Sequence, residues 1–556
     1  MNRLVNRRIR LLLAVLTLAF AGLLLRATWL QGVRAESLSR LGQTQHRETV
    51  ALPAGRGTIY DRAGVELGLG ERATTVYANP KQIANPRAAA LAVERTLGLD
   101  ADRVYPLLAD RTHGFVYVER QADPAQAASL QRLKLSGFGF YPEEKRSYPQ
   151  RSVAAQVLGY VGIDGDGLSG LELGFDRDLA GSAGKETIVK DPSGHVIDVQ
   201  QERPETPGRD VFLTLDHSIQ ANAEEVLRQT VQKWHAKSAS AIVLDPRTGA
   251  VLAMAVQPGY DANRFPSAPR DLQRNRTVTD TYEPGSTFKL ITVGAALSEG
   301  LVSPSTRFTL PYSLKVADRV IHDAEERGTV NYSVAQILAH SSNIGAIELA
   351  EMLGRTRLSK WISRFGFGRV TGIDYPGESP GIVLPTEKWS GSTIGNVPIG
   401  QGIAVTPVQM AAAYAAVANG GIWSRPHLVD HVAGGGRPSL YRRRLVSPRI
   451  ARELMGMLKD VVAEGTGQYA AMPGYQVAGK TGTAQKPDSH GGYATGRYVA
   501  SFVGIVPASR PRFVVLVTVD EPQGAIWGGV VAAPAFQQIA RFDLQYLEVP
   551  PDAPTG

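Results

Sequence analysis

The chain has 556 residues, of which 43% are hydrophobic and 20% charged, a composition typical of a globular protein with two or more cores. It contains no cysteine, which excludes disulfides and thiol chemistry. The net charge of +8 is modest for this length; it suits an anionic membrane or cell-wall surface, and we expect no nucleic-acid partner.

The N-terminus predicts a membrane-spanning helix over residues 11–30. This segment is almost entirely apolar and has about the length needed to cross a bilayer, with Trp29 at an interfacial position. The basic residues 1–10 are expected to stay in the cytoplasm, so the rest of the chain lies outside it. A cleaved signal peptide ending near Ala35 is the alternative.

Residues 70–205 predict a mixture of short helices and strands and contain no catalytic constellation. Residues 32–50 are polar and predict a helix that continues outward from the membrane. Residues 56–69 predict a hairpin around an Asp-Arg-Ala-Gly turn. The Pro-rich segment 203–208 marks a predicted domain boundary.

The second half predicts strands at both ends with helices between them. A helix is expected over Ile219–Trp234, and a hairpin joins 241–244 to 251–254. Further strands are expected at 477–483 and 513–519, and helices after Ser286 and after Pro407. This order predicts an α+β fold, an antiparallel sheet packed by helices on its faces. The Pro-rich tail, residues 549–556, is predicted to be disordered.

The segment Ser286-Thr287-Phe288-Lys289 is the first of three short motifs. Residues i and i+3 of a helix share a face, so Lys289 can reach the Ser286 hydroxyl. A serine needs a base to become a good nucleophile, and a lysine can be that base if burial or a neighbouring cation lowers its pKa. Lys480 is a candidate for that cation. At the start of a helix, Ser286 would also benefit from free backbone N–H groups.

Two further motifs follow in order, Ser341-Ser342-Asn343 and Lys480-Thr481-Gly482-Thr483. Alone, the first favours a helix cap and the second a strand that ends in a turn. Together with Ser286 they predict a serine acyl-transfer site that needs no histidine. A second Ser-x-x-Lys match, Ser182 to Lys185, lies in a Gly/Ala-rich stretch predicted to be a loop, and we interpret it as chance.

Two other features have weaker interpretations. His427 and His431 are four residues apart, but they follow a proline, lie in a predicted strand and have no third ligand nearby, so we predict no metal site. We expect no cofactor. The Gly-rich segment 485–496 predicts a mobile loop beside the site, with a surface linker as the alternative.

Longer stretches around these motifs resemble the class B penicillin-binding proteins, and most of all the septal, cell-division transpeptidases. The similar stretches lie at 56–62, 167–172, 282–289 and 399–407, within a resemblance that runs from about residue 10 to about residue 545. The resemblance implies a cytoplasmic N-terminus (1–10), a transmembrane helix (11–30), an elongated non-catalytic pedestal domain (31–207), a penicillin-recognising transpeptidase domain (208–548) and a tail (549–556).

The family pattern also implies catalytic roles. Ser286 would attack the carbonyl between two D-alanines of a peptidoglycan stem peptide, and Lys289 would take its proton. Ser341 would relay a proton to the departing D-alanine, and Asn343 would hold Lys289 and the substrate amide. Lys480 would set the local electrostatic field and assist proton transfer.

Substrate-binding roles follow from the same resemblance. Thr481 and Thr483 would bind the terminal carboxylate of the substrate or of a β-lactam, and Gly482 would leave room for the substrate to lie beside the strand. The backbone N–H groups of Ser286 and Thr483 would form the oxyanion hole.

The implied function is a D,D-transpeptidase that cross-links stem peptides in septal wall synthesis, is inhibited by β-lactams and works with a membrane glycan polymerase. The alternatives are a hydrolase with the same chemistry, either a D,D-carboxypeptidase or a β-lactamase, and a division scaffold or β-lactam sensor. The sequence contains no recognisable dedicated base for deacylation by water, and the large N-terminal domain and membrane anchor favour the transpeptidase.

Overall fold

The structure is a computed structural model that describes residues 2–34, 47–52, 54–190, 196–437, 439–488 and 491–553. The strands in these ranges are β1 Arg47–Leu52, β2 Ile59–Tyr60, β3 Glu66–Ala78, β4 Val116–Ala122, β5 Phe138–Ser147, β6 Gly184–Lys190, β7 Val196–Arg203, β8 Val211–Leu213, β9 Ser238–Leu244, β10 Val251–Gln257, β11 Arg307–Leu310, β12 Ser313–Val316, β13 Arg319–His322, β14 Val330–Ser333, β15 Ile422–Ser424, β16 Val429–Val432, β17 Arg442–Arg444, β18 Ala478–Pro487, β19 Tyr493–Val506 and β20 Phe513–Asp520.

The α-helices in the same ranges are α1 Asn2–Thr28, α2 Pro86–Leu97, α3 Ala101–Ala109, α4 Pro124–Arg132, α5 Ala155–Leu158, α6 Gly170–Gly174, α7 Asp176–Leu179, α8 His217–Trp234, α9 Arg276–Thr279, α10 Lys289–Ser298, α11 Val334–Ala339, α12 Asn343–Phe365, α13 Thr393–Asn396, α14 Pro407–Ala418, α15 Pro448–Ala463, α16 Gly528–Val531 and α17 Ala533–Tyr546.

The chain divides into two compact units, and the first comprises residues 1–55 and 181–208. It contains α1, which continues as a π-helical turn to Val33, and an antiparallel sheet in the order β1-β6-β7. Its apolar helical segment Val5–Gly32, with a mean hydropathy of 2.1, is long enough to cross a membrane. The predicted helix over 32–50 is wrong for residues 47–50, which belong to β1; residues 35–46 of that prediction lie outside the described residues.

The second unit comprises residues 56–180 and 209–556, so it joins most of the predicted pedestal to the catalytic part of the chain. The predicted five-part domain division stays a prediction. The hairpin predicted at 56–69 is confirmed as β2 paired with β3. Strand β3 continues into a sheet with β4 and β5, and helices α2, α3 and α4 cover one face around a core that includes Val76, Val93 and Leu130.

A five-stranded antiparallel sheet in the order β10-β9-β20-β19-β18 is the centre of the catalytic half. Successive side chains of β9 face opposite sides, as the two-residue repeat of a strand requires. Ile242 and Leu244 belong to a core with helices α10, α14 and α15. Ala241 and Val243 belong to a second core with α8 and α17. The predicted α+β fold, a sheet flanked by helices, is confirmed.

Two sequence predictions fail near the C-terminus. The segment 485–496 is mostly strand, because β18 extends to Pro487 and β19 starts at Tyr493. The tail predicted to be disordered from Val549 is packed over its described part: the Val549 carbonyl accepts a hydrogen bond from the Tyr475 hydroxyl at 2.6 Å, and Asp552 accepts one from the Gln476 N–H at 2.7 Å. These contacts come from distant chain segments, which local composition does not reveal.

Candidate active site

Ser286 lies in a 3₁₀ turn, Gly285–Phe288, that leads directly into helix α10. The sequence predicted an α-helical turn here. In a 3₁₀ turn residues i and i+3 eclipse each other, so Ser286 and Lys289 still share a face. Gly285 has φ +53°, and a Cβ atom there would lie 2.8 Å from the Thr483 carbonyl oxygen. Glycine therefore lets the turn pack directly against β18.

Lys289 is fully buried and meets the second motif. Its Nζ donates hydrogen bonds to the Asn343 Oδ1 at 2.7 Å, to the Ser341 Oγ at 3.2 Å and to the Ser341 carbonyl. Burial lowers the pKa of Lys289 to about 7, against an opposing attraction from Asp323. Near neutral pH the amine can therefore be uncharged, and only the uncharged amine has a lone pair to accept a proton.

Ser341 lies between helices α11 and α12 in the left-handed region, with φ +57°. The helix-capping interpretation of this motif applies to its neighbour: the Ser342 Oγ accepts the Gly345 N–H at 3.1 Å. Asn343 starts α12 and donates its side-chain N–H to the His322 carbonyl at 2.7 Å. Capping and site residues thus alternate within three positions.

Asp323 supports this motif, although it is not among the predicted site residues. Its carboxylate accepts the backbone N–H groups of Asn343 and Ile344, at 2.5 and 3.1 Å, and the Ser342 hydroxyl at 3.0 Å. It therefore fixes the start of α12 and lies near enough to Lys289 to act on its charge. The residue comes about twenty positions earlier, directly after β13, and no local pattern connects it to the motif.

Lys480 lies on β18 and is also fully buried. Its Nζ donates to the Thr481 carbonyl and hydroxyl oxygens, both at 3.2 Å. Burial, together with repulsion from Lys289, holds the pKa of Lys480 well below its usual range. Burial is the main cause of the lowered pKa of Lys289, and the role of Lys480 as the neighbouring cation stays a prediction.

The strand that carries Lys480 forms one edge of the five-stranded sheet. The Thr483 Oγ1 accepts the Gly528 N–H at 3.0 Å, which leaves its own O–H free to donate. The Thr481 hydroxyl shares a hydrogen bond of 2.8 Å with Thr466. A Cβ atom at Gly482 would lie 2.3 Å from the Ser501 Oγ, and the predicted room for the substrate at this position stays a prediction.

Other candidates from the sequence do not join this group. His431 stacks on Phe212 at 4.5 Å and contacts Asp430. Among the described residues, three potential metal ligands converge only at Asp61, Asp216 and His217, so the predicted histidine pair is no part of such a cluster.

Two other motif matches arise by chance, although the second overlaps Lys480 and Thr481 of the site. Ser182 of the second Ser-x-x-Lys match forms an isolated β-bridge with Thr206. Residues 474–481 fit the phosphate-loop pattern Gly-x₄-Gly-Lys-Thr, but the Lys480 of that pattern lies within strand β18 and not in a loop that enters a helix. Neither match has the structural context that its motif requires.

The site therefore combines a serine in a helix-entry turn, a buried lysine that can be uncharged, a second serine and an asparagine bonded to that lysine, and an edge strand with a buried lysine. Within the described part of the chain, the Ser286 hydroxyl makes no hydrogen bond and is partly exposed. This is the chemistry of a serine acyltransferase that uses lysine as its base.

Comparison with known proteins supports a serine acyltransferase. Residues 239–541 match the family model of the penicillin binding protein transpeptidase domain, and residues 51–213 match that of the penicillin-binding protein dimerisation domain. The probable peptidoglycan D,D-transpeptidase PenA of Neisseria meningitidis is 34% identical, and the alignment covers 99% of this chain and 94% of that protein. The peptidoglycan D,D-transpeptidase FtsI of Escherichia coli is 33% identical with the same coverage.

A solved structure, penicillin binding protein 3 of Mycobacterium tuberculosis in complex with aztreonam, superposes with a TM-score of 0.71 at 31% identity, covering 91% of this chain and 99% of that one. The chain belongs to the class B penicillin-binding proteins and is of the septal, FtsI-like type.

Proposed function

We propose that this protein is a peptidoglycan D,D-transpeptidase that cross-links stem peptides through a Ser286 acyl-enzyme. The observation that carries the proposal is the buried Lys289, bonded to Ser341 and Asn343 on the eclipsed face of the Ser286 turn. The named activity of the FtsI and PenA relatives supports the same reaction.

In the acylation step, uncharged Lys289 takes the Ser286 hydroxyl proton while the oxygen attacks the carbonyl between the two D-alanines. The peptide C–N bond then breaks, and Ser341 passes a proton to the departing D-alanine amine. The Ser286 and Thr483 backbone N–H groups stabilise the oxyanion, since Gly285 packs directly on the Thr483 peptide.

In the second step, the amine of another stem peptide attacks the ester and releases Ser286. The proton of the amine returns through the same groups, so the enzyme ends unchanged. Before acylation, the Thr483 hydroxyl, free to donate, and the Thr481 hydroxyl bind the terminal carboxylate of the donor peptide, which leaves with the released D-alanine.

The reaction takes place outside the cytoplasm, with the chain anchored in the cytoplasmic membrane by its N-terminal helix. The basic residues before this helix support that orientation; they are Arg3, Arg7, Arg8 and Arg10. Work at the septum beside a glycan-polymerising membrane protein follows from the similarity to FtsI. Depletion should give elongated, undivided cells, whereas rounded cells would indicate lateral-wall work.

The decisive experiment is intact-mass spectrometry of the full chain in detergent after a penicillin pulse and a long chase. We expect a persistent one-drug adduct that Ser286→Ala abolishes and that the matched Ser182→Ala, in the chance Ser-x-x-Lys match, retains. An adduct that clears within the chase would favour a hydrolase. A folded protein without any adduct would leave only a scaffold role.

A further inference from the structure

Glu283, three residues before Ser286, is a buried carboxyl group that the mechanism above does not use. Its Oε1 accepts the Gly402 N–H at 2.9 Å, and its Oε2 accepts the Tyr493 hydroxyl at 3.0 Å. Buried carboxylates are uncommon and costly unless their oxygens are hydrogen-bonded. Both oxygens are bonded here, and each bond leads to a different element.

The hydrogen bond between Glu283 and Gly402 adds to backbone hydrogen bonds that already connect the nucleophile turn to residues 400–405. Gly285 donates its N–H to the Gly400 carbonyl at 3.1 Å, and Tyr282 and Val405 exchange two backbone hydrogen bonds of 3.0 and 2.9 Å. A Cβ atom at Gly400 would lie 2.1 Å from the Gly285 carbonyl oxygen. The segment 400–405 therefore holds the nucleophile turn by its backbone on one side, with or without Glu283.

The hydrogen bond to Tyr493 connects Glu283 to a part of the β18–β19 hairpin beyond Gly482 and Thr483, which pack directly on the nucleophile turn. Tyr493 starts β19 and pairs with Pro487 of β18, the strand that carries Lys480 to Thr483. Tyr493 is 39% exposed, and among the described residues it belongs to none of the apolar cores. The hydroxyl contact with Glu283 therefore adds a side-chain connection between this end of the β18–β19 hairpin and the segment that leads into the nucleophile turn.

The two oxyanion donors proposed above lie in the segment that follows Glu283 and in the β18–β19 hairpin that contains Tyr493. The Ser286 N–H belongs to the turn, and the Thr483 N–H belongs to β18. An oxyanion hole works only when both donors point at the place where negative charge develops. A shift of one donor by about 1 Å can cost around a hundredfold in rate.

We propose that Glu283 is a positioning residue that, through Tyr493, fixes β18 against the nucleophile turn and so sets the geometry of the oxyanion hole. The proposal rests on the proposed acyl-transfer function. Glu283 touches neither the substrate nor the reacting atoms in this scheme; it acts through the spacing of two elements.

The test measures acylation of the full chain by a chromogenic β-lactam and separates the initial dissociation constant from the acylation rate constant. Tyr493→Phe removes only the hydroxyl, and we expect the acylation rate constant to fall about tenfold with little change in the dissociation constant. Tyr469→Phe, whose side chain is 64% exposed, is the matched control and should behave as wild type.

Conservative variants of Glu283 sharpen the test. In Glu283→Gln, the amide oxygen can accept the Gly402 N–H while the amide N–H₂ donates to the Tyr493 oxygen, so this variant should keep most of the rate. Glu283→Ala loses both bonds and should fall at least as far as Tyr493→Phe. Adding Tyr493→Phe to Glu283→Ala should then cost little more, because both changes break the same connection.

An unchanged acylation rate constant in Tyr493→Phe would overturn the proposal. So would a rise in the dissociation constant as large as the fall in the rate constant. Should Glu283→Ala fail to fold, Tyr493→Phe still decides, since it leaves the buried carboxylate and its Gly402 bond in place. These results are distinct from a failure of the proposed function, in which the wild-type chain itself would form no adduct on Ser286.

Discussion

Two fully buried lysines, Lys289 and Lys480, determine how the site responds to pH. Their proximity makes two charges costly, and burial penalises the charged form of each. Lys289 makes the better bonds, with two oxygens of Ser341 and one of Asn343 as acceptors. It therefore holds its proton more firmly, and it gives that proton up near neutral pH.

A substitution at Asp323 tests whether Lys289 is the base. An acceptable base must be uncharged, so the acylation rate should rise with pH through the Lys289 pKa of about 7. The negative charge of Asp323 favours the ammonium and raises that pKa. Asp323→Asn removes the charge, so the pKa of Lys289 should fall and the rise in rate should move to lower pH.

The measurement is the β-lactam acylation rate of the full chain as a function of pH. Asp318→Asn, an exposed residue of the same hairpin, is the matched control and should leave the midpoint in place. The asparagine oxygen at 323 can still accept the N–H groups that start α12, but the change also breaks the largely buried ion pair with Arg327, so the loss of stability should be about 3 kcal/mol. If the pH midpoint of the rise in acylation rate is unchanged in Asp323→Asn, or moves to higher pH, Lys289 is not the base.

Among the elements, the edge strand β18 and the nucleophile turn depend on glycine at their contact. A Cβ atom at position 482 would lie 2.3 Å from the Ser501 Oγ and 2.8 Å from the Pro284 carbonyl oxygen. Gly482→Ala should therefore push the turn away from the strand. We expect a loss of about 1–3 kcal/mol in the free energy of unfolding, typical of overpacking, and a slower acylation of Ser286.

Gly456→Ala is the matched control, because it lies within helix α15 with open space around its Cβ direction. Alanine there should increase stability by about 0.5–1 kcal/mol and leave acylation unchanged. Urea unfolding and the acylation rate are measured on both variants. A Gly482→Ala protein as stable and as reactive as wild type would show that the turn does not need this close contact.

The elements also show which features the sequence could predict. Helix α8 and the β9–β10 hairpin were predictable because their patterns are local, a 3.6-residue apolar repeat and two apolar runs around a turn. Strand β1 was missed because its partner is β6, more than 130 positions along the chain. The packed Val549 was missed because the Tyr475 that binds it lies 74 residues earlier.

The same distinction applies to the site. The three motifs could be found because each is a short fixed pattern, and their order gave them meaning. Asp323 and the partnership of Glu283 with Tyr493 could not, because these contacts join residues 20 and 210 positions apart without any pattern. The charge state of Lys480 depends on burial, which the sequence does not report.

For the whole molecule, residues 56–62 and 167–172, the two N-terminal stretches that resemble the family, meet in the second compact unit. Glu172, with a fully buried side chain, bonds Arg56 at 2.8 Å and Arg146 at 2.6 Å. Arg56 also reaches Asp176 at 2.8 Å. These residues come from three separate parts of the first 180 positions, so the network ties the non-catalytic half together.

Removing one member of such a network is costly, because the others stay buried without their charge partner. Glu172→Gln should therefore lower the free energy of unfolding by about 3 kcal/mol. Glu71→Gln, an exposed glutamate on β3, is the matched control and should change it by less than about 0.5 kcal/mol. Thermal unfolding of the full chain in detergent measures the stability of both variants. If Glu172→Gln is as stable as Glu71→Gln, the arginines find other partners and this half of the molecule does not depend on Glu172.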